Sequence, residues 1–132
     1  MPKITLAQIN PTVGAIEENC DLILREWKKA DAAGSNLIVF PEMCITAYPV
    51  EDLVLREAFV HSSMDAVEQL AKESANLQCD AFIGGLWEID GKPTNSLFHL
   101  SDGIIKYRQD KVALPNYGVF DEKRLFHAGE PA

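Results

Sequence analysis

The sequence predicts an α/β fold, and three observations carry that prediction. Strand-like and helix-like periodicities alternate through the first half, as in βαβ crossovers. Leu37-Ile38-Val39-Phe40 is apolar on both faces and too short for a helix, the pattern of a strand buried inside a sheet. Past residue 80 the chain reads as short strands separated by Gly-containing turns, the pattern of an antiparallel meander.

The elements follow in order. Lys3 to Ile9 alternates like a strand, and Asn10-Pro11-Thr12-Val13-Gly14 turns the chain. Ile16, Cys20, Ile23, Leu24 and Trp27 recur at helical spacing. Glu17 and Glu18 in the first turn and Lys28 and Lys29 in the last complement the helix dipole, and Gly34 ends the helix. Leu37–Phe40 is the second strand. Tyr48-Pro49-Val50-Glu51-Asp52 is irregular, and a second amphipathic helix carries Val60, Met64, Val67 and Ala71 on one face. Ala81–Trp87 is a strand, with Gly84-Gly85 marking a bulge or a close backbone approach. Asp90-Gly91-Lys92-Pro93 turns it into Asn95–Leu100, and Ser101-Asp102-Gly103 turns that into Ile104–Arg108. The expected order is β-α-β-α-β-β-β, with Trp27 and Trp87 in the core. From Asp110 onward the chain is rich in loop formers, and Gly129-Glu130-Pro131-Ala132 reads as a cut, not a natural terminus.

Composition narrows the classes. A chain of 132 residues, 47% hydrophobic, suits one packed domain. Twenty acids against 12 bases give a net charge of −8, which argues against nucleic-acid binding, since phosphate contacts need clustered Lys and Arg. No apolar run approaches the ~20 residues needed to cross a bilayer. The N-terminus enters a strand pattern without a signal peptide, so a cytoplasmic location is expected. Cys20, Cys44 and Cys79 are odd in number and share no CxxC spacing, which favours reduced, buried thiols. His61, His99 and His127 form no ligand pair, so nothing points to a metal. Neither GxGxxG nor GxxxxGK occurs.

The residues with chemical promise are Glu42 and Lys111. Glu42 stands just past a buried strand, at the sheet edge where α/β proteins place ligands, and partial burial is expected to raise its pKa toward that of a general base. Lys111 opens a Pro- and Gly-punctuated segment, and its ammonium suits the charge of a tetrahedral intermediate. Taken alone, each also reads as an ordinary surface residue. Leu114-Pro115-Asn116-Tyr117-Gly118 builds a turn that would aim Tyr117 and Glu122 into a pocket, or is simply an ordered surface loop. Cys44, two residues past Glu42, shares its face if the stretch stays extended, but Met43-Cys44-Ile45 reads more simply as apolar packing.

These segments together resemble the nitrilase, or carbon–nitrogen hydrolase, superfamily. The resemblance rests on Ile4–Gly14, on Leu37-Ile38-Val39-Phe40-Pro41-Glu42 and on Lys111 with its following loop. Two stretches, Ala47–Leu53 and Leu114–Glu122, look like the glutaminase domain of glutamine-dependent NAD synthetase. The resemblance implies an αββα four-layer sandwich, of which residues 1–132 are the N-terminal half. It implies a Glu-Lys-Cys triad with Glu42 as base, Lys111 beside the tetrahedral intermediate, Glu122 as a supporting carboxylate and Tyr117 in the glutamine pocket. The family's cysteine follows the lysine, whereas all three cysteines here precede Lys111. By this resemblance the piece alone is inactive. Glutamine is the implied substrate, and a C-terminal synthetase domain, where ATP and magnesium belong, is the implied partner that makes NAD from deamido-NAD. A homo-oligomer is also expected, with no nucleic acid and no membrane as partners. The alternatives are a piece of another carbon–nitrogen hydrolase, such as an ω-amidase or a carbamoyl-amide hydrolase, or a non-catalytic α/β interaction module.

Overall fold

The structure, a computed structural model, describes residues 2–47 and 57–111. Its elements run β1 (Ile4–Leu6), α1 (Ile16–Ala32), β2 (Leu37–Val39), α2 (Glu57–Glu73), β3 (Asp80–Ile89), β4 (Lys92–Ser101) and β5 (Ile104–Asp110), with a 3-10 turn at Ser74–Asn76. The order matches the expected β-α-β-α-β-β-β.

One five-stranded sheet is ordered β1-β2-β3-β4-β5. The two crossovers make β1, β2 and β3 parallel, and the two hairpins make β3, β4 and β5 antiparallel. Register aligns Ile38 with Ala81, Ala81 with Leu100, and Ile83 with Phe98, so these side chains share one face. That face packs on Ile23 and Trp27 of α1 and on Val67, Leu70 and Ala71 of α2. Both helices therefore cover the same side of the sheet. Trp27 is fully buried, and its indole N–H donates to the Cys79 carbonyl at 2.7 Å. Trp87 is partly buried against this core, tilted over Phe98, with the Arg108 guanidinium 5.6 Å from its ring.

The opposite face carries Ile4, Leu6, Leu97 and Tyr107, all exposed, with Leu6 at 73%. The described residues thus form two layers, helices on a sheet.

Element ends differ from the sequence reading for physical reasons. β1 covers only Ile4–Leu6, because ladder pairing with β2 ends at Leu6 and Val39. The β3–β4 turn is just Asp90-Gly91, both at positive φ, so Lys92 and Pro93 pair within β4 instead of turning the chain. Asp102-Gly103 closes β4–β5 in the same way, and β5 continues two residues beyond Arg108 to Asp110. At the end of α1, Ser35 N–H reaches Ala30 O and Gly34 N–H reaches Asp31 O, a double bond pattern that closes the helix.

Candidate active site

Glu42 lies in a turn that starts where β2 ends, and several contacts hold this turn. Phe40 N–H donates to Phe82 O at 3.0 Å and Ile45 N–H to Gly84 O at 3.2 Å, which ties it to β3. Asn19, buried in α1, donates to Ile45 O at 2.9 Å and to Thr12 O at 2.8 Å, clamping the loop after β1 against it. Of the two readings for Gly84-Gly85, close approach is the one observed. A Cβ on Gly84 would stand 2.4 Å from Met43 N, so only glycine lets the turn lie on the strand. Met43 and Ala47 sit at positive φ, so the stretch is not extended. Cys44 consequently turns into the core, fully buried, with its thiol donating to Gly84 O. Burial pushes that thiol up to about 12, and burial with Asp21 and Glu17 pushes Cys20 up to about 11. Burial also raises Cys79. None of the three is an activated nucleophile.

Lys111 comes from the other end of the sheet order, immediately after β5. Its ammonium reaches Glu42 Oε1 at 2.9 Å across 69 residues of sequence. The two groups that the sequence singled out therefore meet. Asn95 of β4 joins them, its side-chain amide donating to the same Oε1 at 2.6 Å. Glu42 is half-exposed and Lys111 about one-third exposed. They border a cavity of about 340 Å³ that Phe40, Gly84, Leu97 and Gln109 also line. A larger groove, about 1060 Å³, runs between α1 and α2 and touches neither residue.

The expected rise in the Glu42 pKa is corrected by this geometry. Burial does push the carboxyl up, but hydrogen bonds from Lys111 and Asn95 and the lysine charge outweigh it, and the net shift is downward. Glu42 is an ionised carboxylate at neutral pH, able to accept a proton.

Sequence reasoning missed Asn95. Its signal was a polar Thr94-Asn95-Ser96 run inside a central strand, where buried polar groups need partners. It also missed how Lys111 reaches the correct face. From the Asp102-Gly103 turn, Leu100 pairs with Ile105, yet His99 pairs with Tyr107, so Lys106 is an extra residue in β5. This bulge reverses the alternation for the rest of the strand. Without it, Lys111 would point to the helix side. Tyr117 and Glu122 lie outside the described residues.

A carboxylate and an ammonium at hydrogen-bond distance beside one cavity can accept a proton and neutralise a developing negative charge. The carbon-nitrogen hydrolase family profile matches residues 3–132. The chain belongs to the carbon-nitrogen hydrolase family. Among its relatives, the glutamine-dependent NAD(+) synthetase of Thermotoga maritima is 38% identical over 128 residues, spanning 97% of this chain and 22% of that protein. That of Rhodobacter capsulatus is 40% identical over 127 residues, spanning 96% and 23%. The solved structure of glutamine-dependent NAD+ synthetase from Acinetobacter baumannii, in complex with adenosine diphosphate, superposes with a TM-score of 0.89 at 33% identity, covering 97% of this chain and 24% of that one. The fold is the nitrilase-type α/β fold, and the chain spans less than a quarter of the length of these relatives.

Proposed function

We propose that this chain carries the base and the lysine of a glutamine amidohydrolase, within a glutamine-dependent NAD synthetase. The contact between Lys111 and Glu42 carries the reading, because two residues distant in sequence converge with opposite charge on one cavity. Glu42 takes the proton of a cysteine thiol. The thiolate attacks the side-chain amide carbon of glutamine, and the Lys111 ammonium neutralises the oxyanion that forms. As the C–N bond breaks, Glu42 returns the proton to the nitrogen and ammonia leaves. Water then hydrolyses the thioester to glutamate. Cys20, Cys44 and Cys79 do not suit the role, since burial raises all three thiols, so the nucleophile is a residue not among these 132. Tyr117 is proposed to contact glutamine and Glu122 to support the base.

The synthetase reading draws on the Thermotoga maritima and Rhodobacter capsulatus relatives, both named glutamine-dependent NAD(+) synthetase. In it, ammonia passes to a C-terminal domain that uses ATP and magnesium to amidate deamido-NAD, in the cytoplasm. The test uses the complete open reading frame in which these residues lie, supplied with [amide-¹⁵N]glutamine, ATP and deamido-NAD. Label in the NAD carboxamide is the expected result. Hydrolysis of other ω-amides or carbamoyl amides in preference to glutamine, with no label in NAD, would replace this reading by that of a different carbon-nitrogen hydrolase.

A further inference from the structure

We infer that Asn95 is the positioning residue of this site, holding the base with its side chain and the lysine with its main chain. The inference rests on the amidohydrolase reading above. Asn95 Nδ2 donates to Glu42 Oε1 at 2.6 Å, and Asn95 O accepts the Lys111 N–H at 2.8 Å. One residue thus contacts both members of the pair through two different groups.

Its own placement is rigid. Asn95 is only 4% exposed and pairs with Leu86 in the long β3–β4 ladder. The next residue, Ser96, donates from the other face of the strand to Asp110, the residue before Lys111. Thr94 and Ser96 hydroxyls bond each other, and Arg108 reaches the same Asp110 oxygen. The ends of β4 and β5 are therefore fastened on both faces, and a site built on strands is held more tightly than one built on loops.

The donors also choose which oxygen of Glu42 does the chemistry. Lys111 and Asn95 both bind Oε1. Among the described residues no donor binds Oε2, which is the oxygen offered to a thiol proton. An amide suits position 95 because it donates without adding charge. Lys111 is the one charged group that the described residues bring to Glu42.

The experiment compares wild type, Asn95→Leu and Asn95→Asp in the complete open reading frame, reading kcat/KM for ammonia release from glutamine against pH. Leucine removes the donor, and aspartate replaces it with a like charge. Both changes favour the protonated carboxyl, so the acid limb moves to higher pH, further for Asn95→Asp. The rate at neutral pH falls roughly 10- to 100-fold. Wild-type rate and acid limb in Asn95→Leu would overturn the inference. So would a lower rate with an unmoved acid limb, since that is a packing effect. If Asn95→Leu does not fold, the isosteric Asn95→Asp decides by the same criteria. Absence of ammonia release from the wild type fails earlier, removing the amidohydrolase reading and this inference with it.

Discussion

Glu42 illustrates how a residue's neighbours override its burial. Placement at the end of a buried strand was legible from Phe40-Pro41-Glu42, and so was Lys111 as a partner. The direction of the pKa shift was not, because it depends on donors that the fold brings from β4 and from the end of β5. Asp80 behaves alike. Burial raises it, while hydrogen bonds from Ser101 and His99 and the charges of His99 and Lys106 lower it further, for a net downward shift. A carboxyl whose folded pKa lies below its unfolded value adds stability above that unfolded value and loses it as pH falls through the folded one. The unfolded values here are about 4.5 for Glu42 and 3.8 for Asp80. Thermal midpoints of wild type, E42Q and D80N, followed from about pH 5 to pH 2, should show the wild type losing more than either variant. Equal losses in all three would contradict the assignment. Both groups are too exposed for the effect to be large.

Among the elements, the bulge in β5 has the greatest functional weight. Alternation is the only cue to side-chain direction in a strand, and Ile104-Ile105-Lys106-Tyr107-Arg108-Gln109 has none that is clean. The helices were easier, since Ile23 and Trp27, read from their spacing, lie on the buried face of α1, and Val60, Val67 and Ala71 on that of α2. Deleting Lys106 would leave Lys111 opposite Asn95, whereas inserting one alanine between Gln109 and Asp110 puts Lys111 opposite Thr94 on the helix side. Glutamine hydrolysis by the complete reading frame should then fall by at least about 100-fold. Lys106→Ala keeps the residue count and loses an exposed pair with Asp102 and a charge attraction to Asp80, so its rate should stay within a few-fold of wild type. An insertion variant with wild-type rate would show that the register of β5 does not aim Lys111.

At the scale of the whole molecule, the fold class and element order were readable because each buried strand and amphipathic helix announces itself locally. The four-layer sandwich came only through family resemblance, since nothing in these residues by themselves specifies a second sheet. The exposed row of Ile4, Leu6, Leu97 and Tyr107 has a consequence for the 132 residues studied alone. Exposed apolar side chains on one face of a sheet favour association, so two copies should bury this face against each other. Light scattering over a concentration series should give a mass above 14.6 kDa that rises with concentration, and a constant monomer would contradict this.

The central claim is that Glu42 and Lys111 act as a unit on one substrate. Its most direct test is a double-mutant cycle on kcat/KM for ammonia release from glutamine, using wild type, E42Q, K111M and E42Q/K111M in the complete open reading frame. Residues that act together lose activity non-additively. Each single change should cost at least about 100-fold, and the pair little more than the worse single change. Losses that multiply, or a rate untouched by either substitution, would contradict the account.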